Sequence, residues 1–255
     1  MNKDAIYVIA GGFVRSVAVS LISVTYGLYL AFLGMSPYEL GILIAAGLIG
    51  LAAATAVVLF WGDRIGRRKL LILLAILGAA GGIATSFSTN LALFAVSAFV
   101  GMLNGMGRDR GPAAALDQAI LATVVTDRNR TKLFAIYTFT QDLGHALGSG
   151  LAAMPVLFQR WLGTDEAGGF QGTIIIYAAI LLLSGLFAAR LSKQAENHHE
   201  LKGFNLAPET RQRVWKLSAL FGVDALGSGF LTGALIAYYF HERYGLGAAE
   251  VGGLI

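Results

Sequence analysis

The chain alternates long apolar runs with short polar clusters. The runs are close to the length of helix that crosses a bilayer, about 20 residues for ~30 Å of hydrocarbon. Seven of them lie at 7–33, 40–61, 70–88, 91–117, 133–158, 172–190 and 215–240, and an eighth opens near Glu250. The run at 91–117 is interrupted by Arg108, Asp109 and Arg110 and then by Pro112. Leu91–Met106 alone is short for a crossing, so the whole stretch reads as one span. The pattern predicts an all-α integral membrane protein with about seven transmembrane helices and the start of another.

Composition agrees. Hydrophobic residues make up 56% of the 255 positions and charged residues 13%, against about 25% charged in soluble domains. Glycine is abundant, at 33 residues, which suits helices that pack backbone to backbone in lipid. There is no cysteine, which excludes disulfides, thiolate metal sites and cysteine nucleophiles. The N-terminus offers Lys3 and then an apolar stretch running past Arg15 to Leu33 without a small-residue cleavage site, so the first span is expected to be retained.

Charge gives the orientation. With the N-terminus in the cytoplasm, cytoplasmic segments hold fourteen of the lysines and arginines and external loops hold two, Arg160 and Arg243. The positive-inside rule asks for this asymmetry. The net charge of +4 is thereby a topology signal, and no nucleic-acid partner is expected. The expected location is the cell's inner membrane.

The longest hydrophilic segment, 191–214, divides a six-span unit at 1–190 from the segment 215–255. A repeat supports the division. Residues 34–44 and 245–255 match at five of eleven positions, Gly34/Gly245, Glu39/Glu250, Gly41/Gly252, Leu43/Leu254 and Ile44/Ile255, and both segments join the first span of a unit to its second. Ile255 falls inside an apolar run. The expectation is a truncated chain: six spans, a cytoplasmic linker, then the first helix of a second bundle and the start of the next.

The loop Gly62-Asp63-Arg64-Ile65-Gly66-Arg67-Arg68-Lys69 resembles the signature loop of the major facilitator superfamily, which reads Asp-Arg-x-Gly-Arg-Arg/Lys after a glycine. It lies between the second and third spans, as in that family; the family's leading glycine is replaced by Leu59. The acidic-then-arginine turn Asp127-Arg128 after the fourth span is similar too. The glycines Gly144 and Gly148 in the fifth span resemble the antiporter motif of the family, but Ser149 stands where that motif has proline. The resemblance implies the first half of a twelve-helix bundle plus roughly one span of the second. It also implies that Asp63, Arg64, Gly66, Arg67 and Arg68 form a loop that holds the two halves in one conformation.

Charges inside the spans are the candidate chemistry, because each costs about 2.5–3.5 kcal/mol near the bilayer centre on insertion scales. They are Arg15, Arg108, Asp109, Arg110, Asp117, Asp142, His145 and Asp224. Arg15, Arg108, Arg110, Asp142, His145 and Asp224 fall within about two turns of the midplane and form the candidate substrate and coupling set. The resemblance puts spans 1, 4 and 7 around a central cavity. Arginine forks suit carboxylates and phosphates, and a partly desolvated Asp142 or Asp224 can carry a proton. His145, three residues from Asp142, shares its helix face. Asp109 is read as pointing elsewhere around the helix, Asp117 and Gln118 as lying at the cytoplasmic mouth, and Tyr26, Tyr29, Tyr238 and Tyr239 as an interfacial belt. The competing reading is that these charges pair with one another and lock helices.

The expected function is secondary active transport of a small solute by alternating access. Three intramembrane arginines favour an organic anion, and coupling to protons accompanies it. The alternatives are a seven-span receptor or sensor, and a drug/proton antiporter of the same family. No HExxH or GxSxG motif is present, Gly105-Met-Gly107 lacks dinucleotide spacing, and neither catalytic residues, metal ligands nor a cofactor are expected. The expected partners are the small-molecule substrate, protons, the lipid bilayer and the missing C-terminal half.

Overall fold

The computed structural model describes residues 2–88, 90–109, 111–196, 208–229 and 232–254, apart from a few side chains within them. Every regular element among them is helical. The long helices are α1 (Lys3–Phe32), α2 (Pro37–Ile65), α3 (Arg67–Ser86), α6 (Asp127–Gly150), α8 (Glu166–Ala189) and α9 (Pro208–Gly229). Shorter ones are α4 (Leu91–Gly101), α5 (Pro112–Val124), α7 (Met154–Leu162), α10 (Gly233–Tyr244) and α11 (Ala248–Leu254). Four helices among the described residues, α1, α2, α3 and α8, are long and apolar enough to cross a membrane.

Helix ends follow from local chemistry. Ser36 caps α2 in a full capping box: Glu39 N–H donates to its hydroxyl, and its own N–H donates to the Glu39 carboxylate. Asn2, Asn90 and Thr232 cap α1, α4 and α10 with side-chain oxygens.

Two expected spans are interrupted. The stretch 91–117 breaks after Gly101 and resumes at Pro112. Met102, Gly105 and Gly107 take positive φ there, and Pro112 suits only the first turn of the new helix. In 215–240, α9 ends at Gly229 and α10 starts anew at Gly233, with Thr232 extended. The expected fifth span is also longer and segmented: α6 passes through a short 3-10 turn at Leu151–Ala153 into α7.

α1 is the axis of the bundle, packing on α6, α8, α10 and α5, while α3 packs on α8 and α4 and α2 on α4. Its contact with α6 is close because Gly144 and Gly148 face it; a Cβ there would lie 2.8 Å from the Phe13 carbonyl and 2.3 Å from that of Val17. Two apolar clusters result. One joins Leu21–Leu30 of α1 to Leu40, Phe94, Ile174, Ala234 and Val251; the other joins Ala5–Ile9 to Leu70, Leu116, Ile120, Tyr137 and Leu191. Arg15 falls between them along α1.

Tyr26 and Tyr29 lie inside the first cluster, 1% and 4% exposed, with Tyr29 against Phe94 and Phe170. They pack the core instead of forming the expected interfacial belt, whereas Tyr239 is exposed. The stretch read as a linker is partly structured: Leu191 and Ala195 are buried against the bundle, and α9 already begins at Pro208. α10 packs on α1 and α11 against the 3-10 turn and α6. α9 is exposed at every described position.

Candidate functional site

The interruption between α4 and α5 builds the site. Asn104 braces it, donating from Nδ2 to the Met102 carbonyl (3.0 Å) and accepting at Oδ1 from Met106 N–H (2.9 Å). On an uninterrupted helix Asp109 and Asp117, eight residues apart, would project roughly 80° from each other. Unwound, the segment delivers both to one cation. Arg15 Nε donates to Asp109 Oδ2 at 2.6 Å and its Nη2 to Asp117 Oδ2 at 2.5 Å. The side chains are 11%, 6% and 2% exposed. Charges so far from water persist only when paired.

α6 completes the network. Tyr137 donates its hydroxyl to Asp117 Oδ2 at 3.1 Å and accepts from Gln141 Nε2 at 2.7 Å. One turn further along, His145 Nε2 accepts from the Asp109 backbone N–H at 3.4 Å, and its buried Nδ1 has no hydrogen-bond partner among the described residues.

Arg15, Asp109 and Asp117 face a cavity of about 100 Å³, several times the 10–15 Å³ that one water needs. Arg108, Tyr7, Tyr177 and residues 104–107 also line it; most of the remaining wall is aliphatic.

Of the candidate set, Arg15 and His145 meet at Asp109. Arg108 lines the cavity but is largely exposed. Asp142 is exposed on α6 and Asp224 on α9. Arg110 lies outside the described residues. Asp117 is in the ionic network, where the sequence placed it at the mouth, and Asp109 turns onto Arg15 instead of away. Tyr137 and Gln141 were not singled out. Their i,i+4 spacing is legible, but their partner on α5 is not.

The loop after α2 is a second junction. Asp63 Oδ1 accepts from Arg67 Nε (3.0 Å) and Nη2 (2.9 Å), and Arg67 Nη1 donates to the Ala119 carbonyl on α5 (3.2 Å). Arg68 Nη1 donates to the Leu191 carbonyl at 3.3 Å, and Gly66 joins α2 to α3 at φ 104°. Arg64 is exposed. Nearby, Asp4 of α1 accepts from Ser192 N–H (2.9 Å) and hydroxyl (2.6 Å).

Comparisons agree with this architecture. The chain is 24% identical to the uncharacterised membrane protein YJR124C of Saccharomyces cerevisiae, over 99% of its own length and 64% of that protein's, so it spans less than two thirds of this relative. The fold resembles a crystal structure of a D-xylose-proton symporter (TM-score 0.63, 16% identity, 98% of this chain and 64% of that one). It also resembles the inward-open xylose transporter XylE of E. coli (TM-score 0.57, 18% identity, 86% and 56%). A bacterial homologue of the human lysosomal transporter Spinster, inward-facing and unoccupied, matches at TM-score 0.61 and 15% identity over 98% and 57%. Residues 8–255 match the Major Facilitator Superfamily as a family, and the chain, a multi-pass membrane protein, belongs to it.

Proposed function

We propose that the chain forms part of a secondary transporter that moves a small organic anion together with a proton by alternating access. The observation that carries this reading is Arg15 held between Asp109 and Asp117 at the wall of the cavity. Two carboxylates outweigh the single charge of this guanidinium, so an anion gains little attraction at Arg15 until one of them is protonated. Protonating Asp109 or Asp117 weakens its hold and frees one prong of the fork. Proton and anion binding thereby favour each other, which is the reciprocity that coupled transport uses. Arg108 and Arg110 supply further positive charge, and Asp142, His145 and Asp224 are proposed to take part in proton transfer.

The names of the structural neighbours, two xylose transporters of which one is called a proton symporter, and a homologue of the transporter Spinster, support the class of activity. The loop Asp63–Arg68 serves as the conformational lock, a role supported by the ties it makes to α5 and to the end of α8. The fourteen-to-two division of cations supports a cytoplasmic N-terminus in the inner membrane; a reporter fused ahead of Lys3 that is accessible from outside intact cells overturns that orientation.

The test is uptake of labelled small organic acids into vesicles carrying the whole transporter of which this chain is part, with an imposed pH gradient. Accumulation should follow the gradient, collapse with a protonophore and disappear in Arg15→Ala. Accumulation that ignores the gradient, or survives Arg15→Ala, rejects the reading.

A further inference from the structure

The polar groups of the cavity are unevenly distributed. The ionic cluster Arg15–Asp109–Asp117 marks one part of the wall, with Arg108 next to Asp109 in the chain. Other polar side chains that line it are already committed: the Asn104 amide braces its own loop and Ser184 donates to the Leu181 carbonyl. Among the described residues, the Tyr7 and Tyr177 hydroxyls remain. The rest of the wall is aliphatic, with Val19 and Ile22 of α1, Leu51 of α2, Leu74 and Ala75 of α3 and Leu181 of α8.

Resting on the transport reading, we infer that the substrate is a small amphiphilic monocarboxylate, with one charged end and an aliphatic or aryl body. A single head group answers a single ionic cluster, and its body removes apolar wall from water. A polyol makes the opposite demand. Each hydroxyl brings one donor and two acceptors, and this wall leaves most of them unpaired. A dicarboxylate would bring a second charge to a wall whose buried guanidinium, Arg15, is already shared by two carboxylates.

The test is a ligand series on the unmodified protein, which removes any question of misfolded variants. Binding of propionate, butyrate, pentanoate and hexanoate is measured by calorimetry at mildly acid pH, beside benzoate, succinate and xylose. Affinity should rise about fourfold per methylene, the factor given by ≈ 0.8 kcal/mol per buried CH₂. Succinate and xylose should bind at least tenfold more weakly than hexanoate. Affinity that is flat along the series, or succinate or xylose equal to hexanoate, overturns the inference. So does a protein that binds none of the acids yet accumulates another solute in vesicles, an outcome that leaves the transport reading standing. A whole transporter, of which this chain is part, that moves no solute removes the transport reading and this inference with it.

Discussion

Arg15 and Asp109 stand 94 positions apart in the chain and 2.6 Å apart at Nε and Oδ2. The contact exists because the chain abandons helical geometry between Gly101 and Pro112. Among the described residues it makes Arg15 the one cation of a buried cluster that also holds two acids, and this imbalance sets the order of mutational effects.

Arg15→Ala leaves two buried carboxylates without their cation, and breaking a buried pair in this way costs about 3–5 kcal/mol. Asp117→Asn removes one of two like charges, keeps an oxygen for the Tyr137 hydroxyl and leaves Arg15 paired to Asp109. It should cost clearly less. The double variant Arg15→Ala/Asp117→Asn should be more stable than Arg15→Ala alone. Thermal unfolding in detergent gives the ranking, and a double variant no better than the single one rejects the charge argument.

Tyr137→Phe removes the hydroxyl between Gln141 and Asp117 while keeping the ring. The expected loss is about 1.5–3 kcal/mol, the range for a hydrogen bond to a charged group. In transport, the same variant should shift the pH at which uptake is half-maximal, because Asp117 loses a donor that favours its ionised form. A pH profile identical to wild type counts against Asp117, and leaves Asp109, as the carboxylate whose protonation releases Arg15.

The sequence made the long helices legible because their apolar runs are uninterrupted: α1, α2, α3 and α8 lie over four of the expected spans. It also offered the break, in Gly105, Gly107 and Pro112. Span length masks these signals, because Leu91–Met106 alone is short for a crossing. On one continuous helix over 91–117, Asp109 points away from Arg108 and Arg110, and Asp117 falls at the membrane edge. Their convergence on Arg15 depends on the unwound backbone, which no periodicity encodes.

Glycine at 47 and at 41 should respond with opposite signs. Both are in α2, but a Cβ on Gly47 would lie 1.9 Å from the Leu103 carbonyl oxygen, whereas Gly41 has nothing within 4 Å. Gly47→Ala must push α2 off the start of the interruption, an overpacking cost of about 1–3 kcal/mol or more. Gly41→Ala gains helix propensity, roughly 0.5–1 kcal/mol. Melting temperatures of the two variants should bracket wild type; a neutral Gly47→Ala would show that α2 and Leu103 are not held in contact.

Gly66 and Arg67 separate what backbone and side chain contribute to the loop after α2. Gly66 ends one helix and begins the next at φ 104° and ψ 127°, a region that a residue with Cβ enters at a cost of about 1–3 kcal/mol. Its Cβ would also stand 3.2 Å from Glu196 Oε1. Arg67 contributes differently: its pair with Asp63 is partly exposed, 13% and 34%, so the ion pair is worth at most about 1 kcal/mol. The bond to the Ala119 carbonyl adds about as much again. Gly66→Ala should therefore be at least as destabilising as Arg67→Ala, and Arg67→Lys, which keeps the charge but loses the fork, should fall between Arg67→Ala and wild type. Thermal unfolding of the three variants decides it. If Arg67→Ala proves clearly the worst, the junction of α2, α3 and α5 depends on the guanidinium, and the turn at Gly66 only follows.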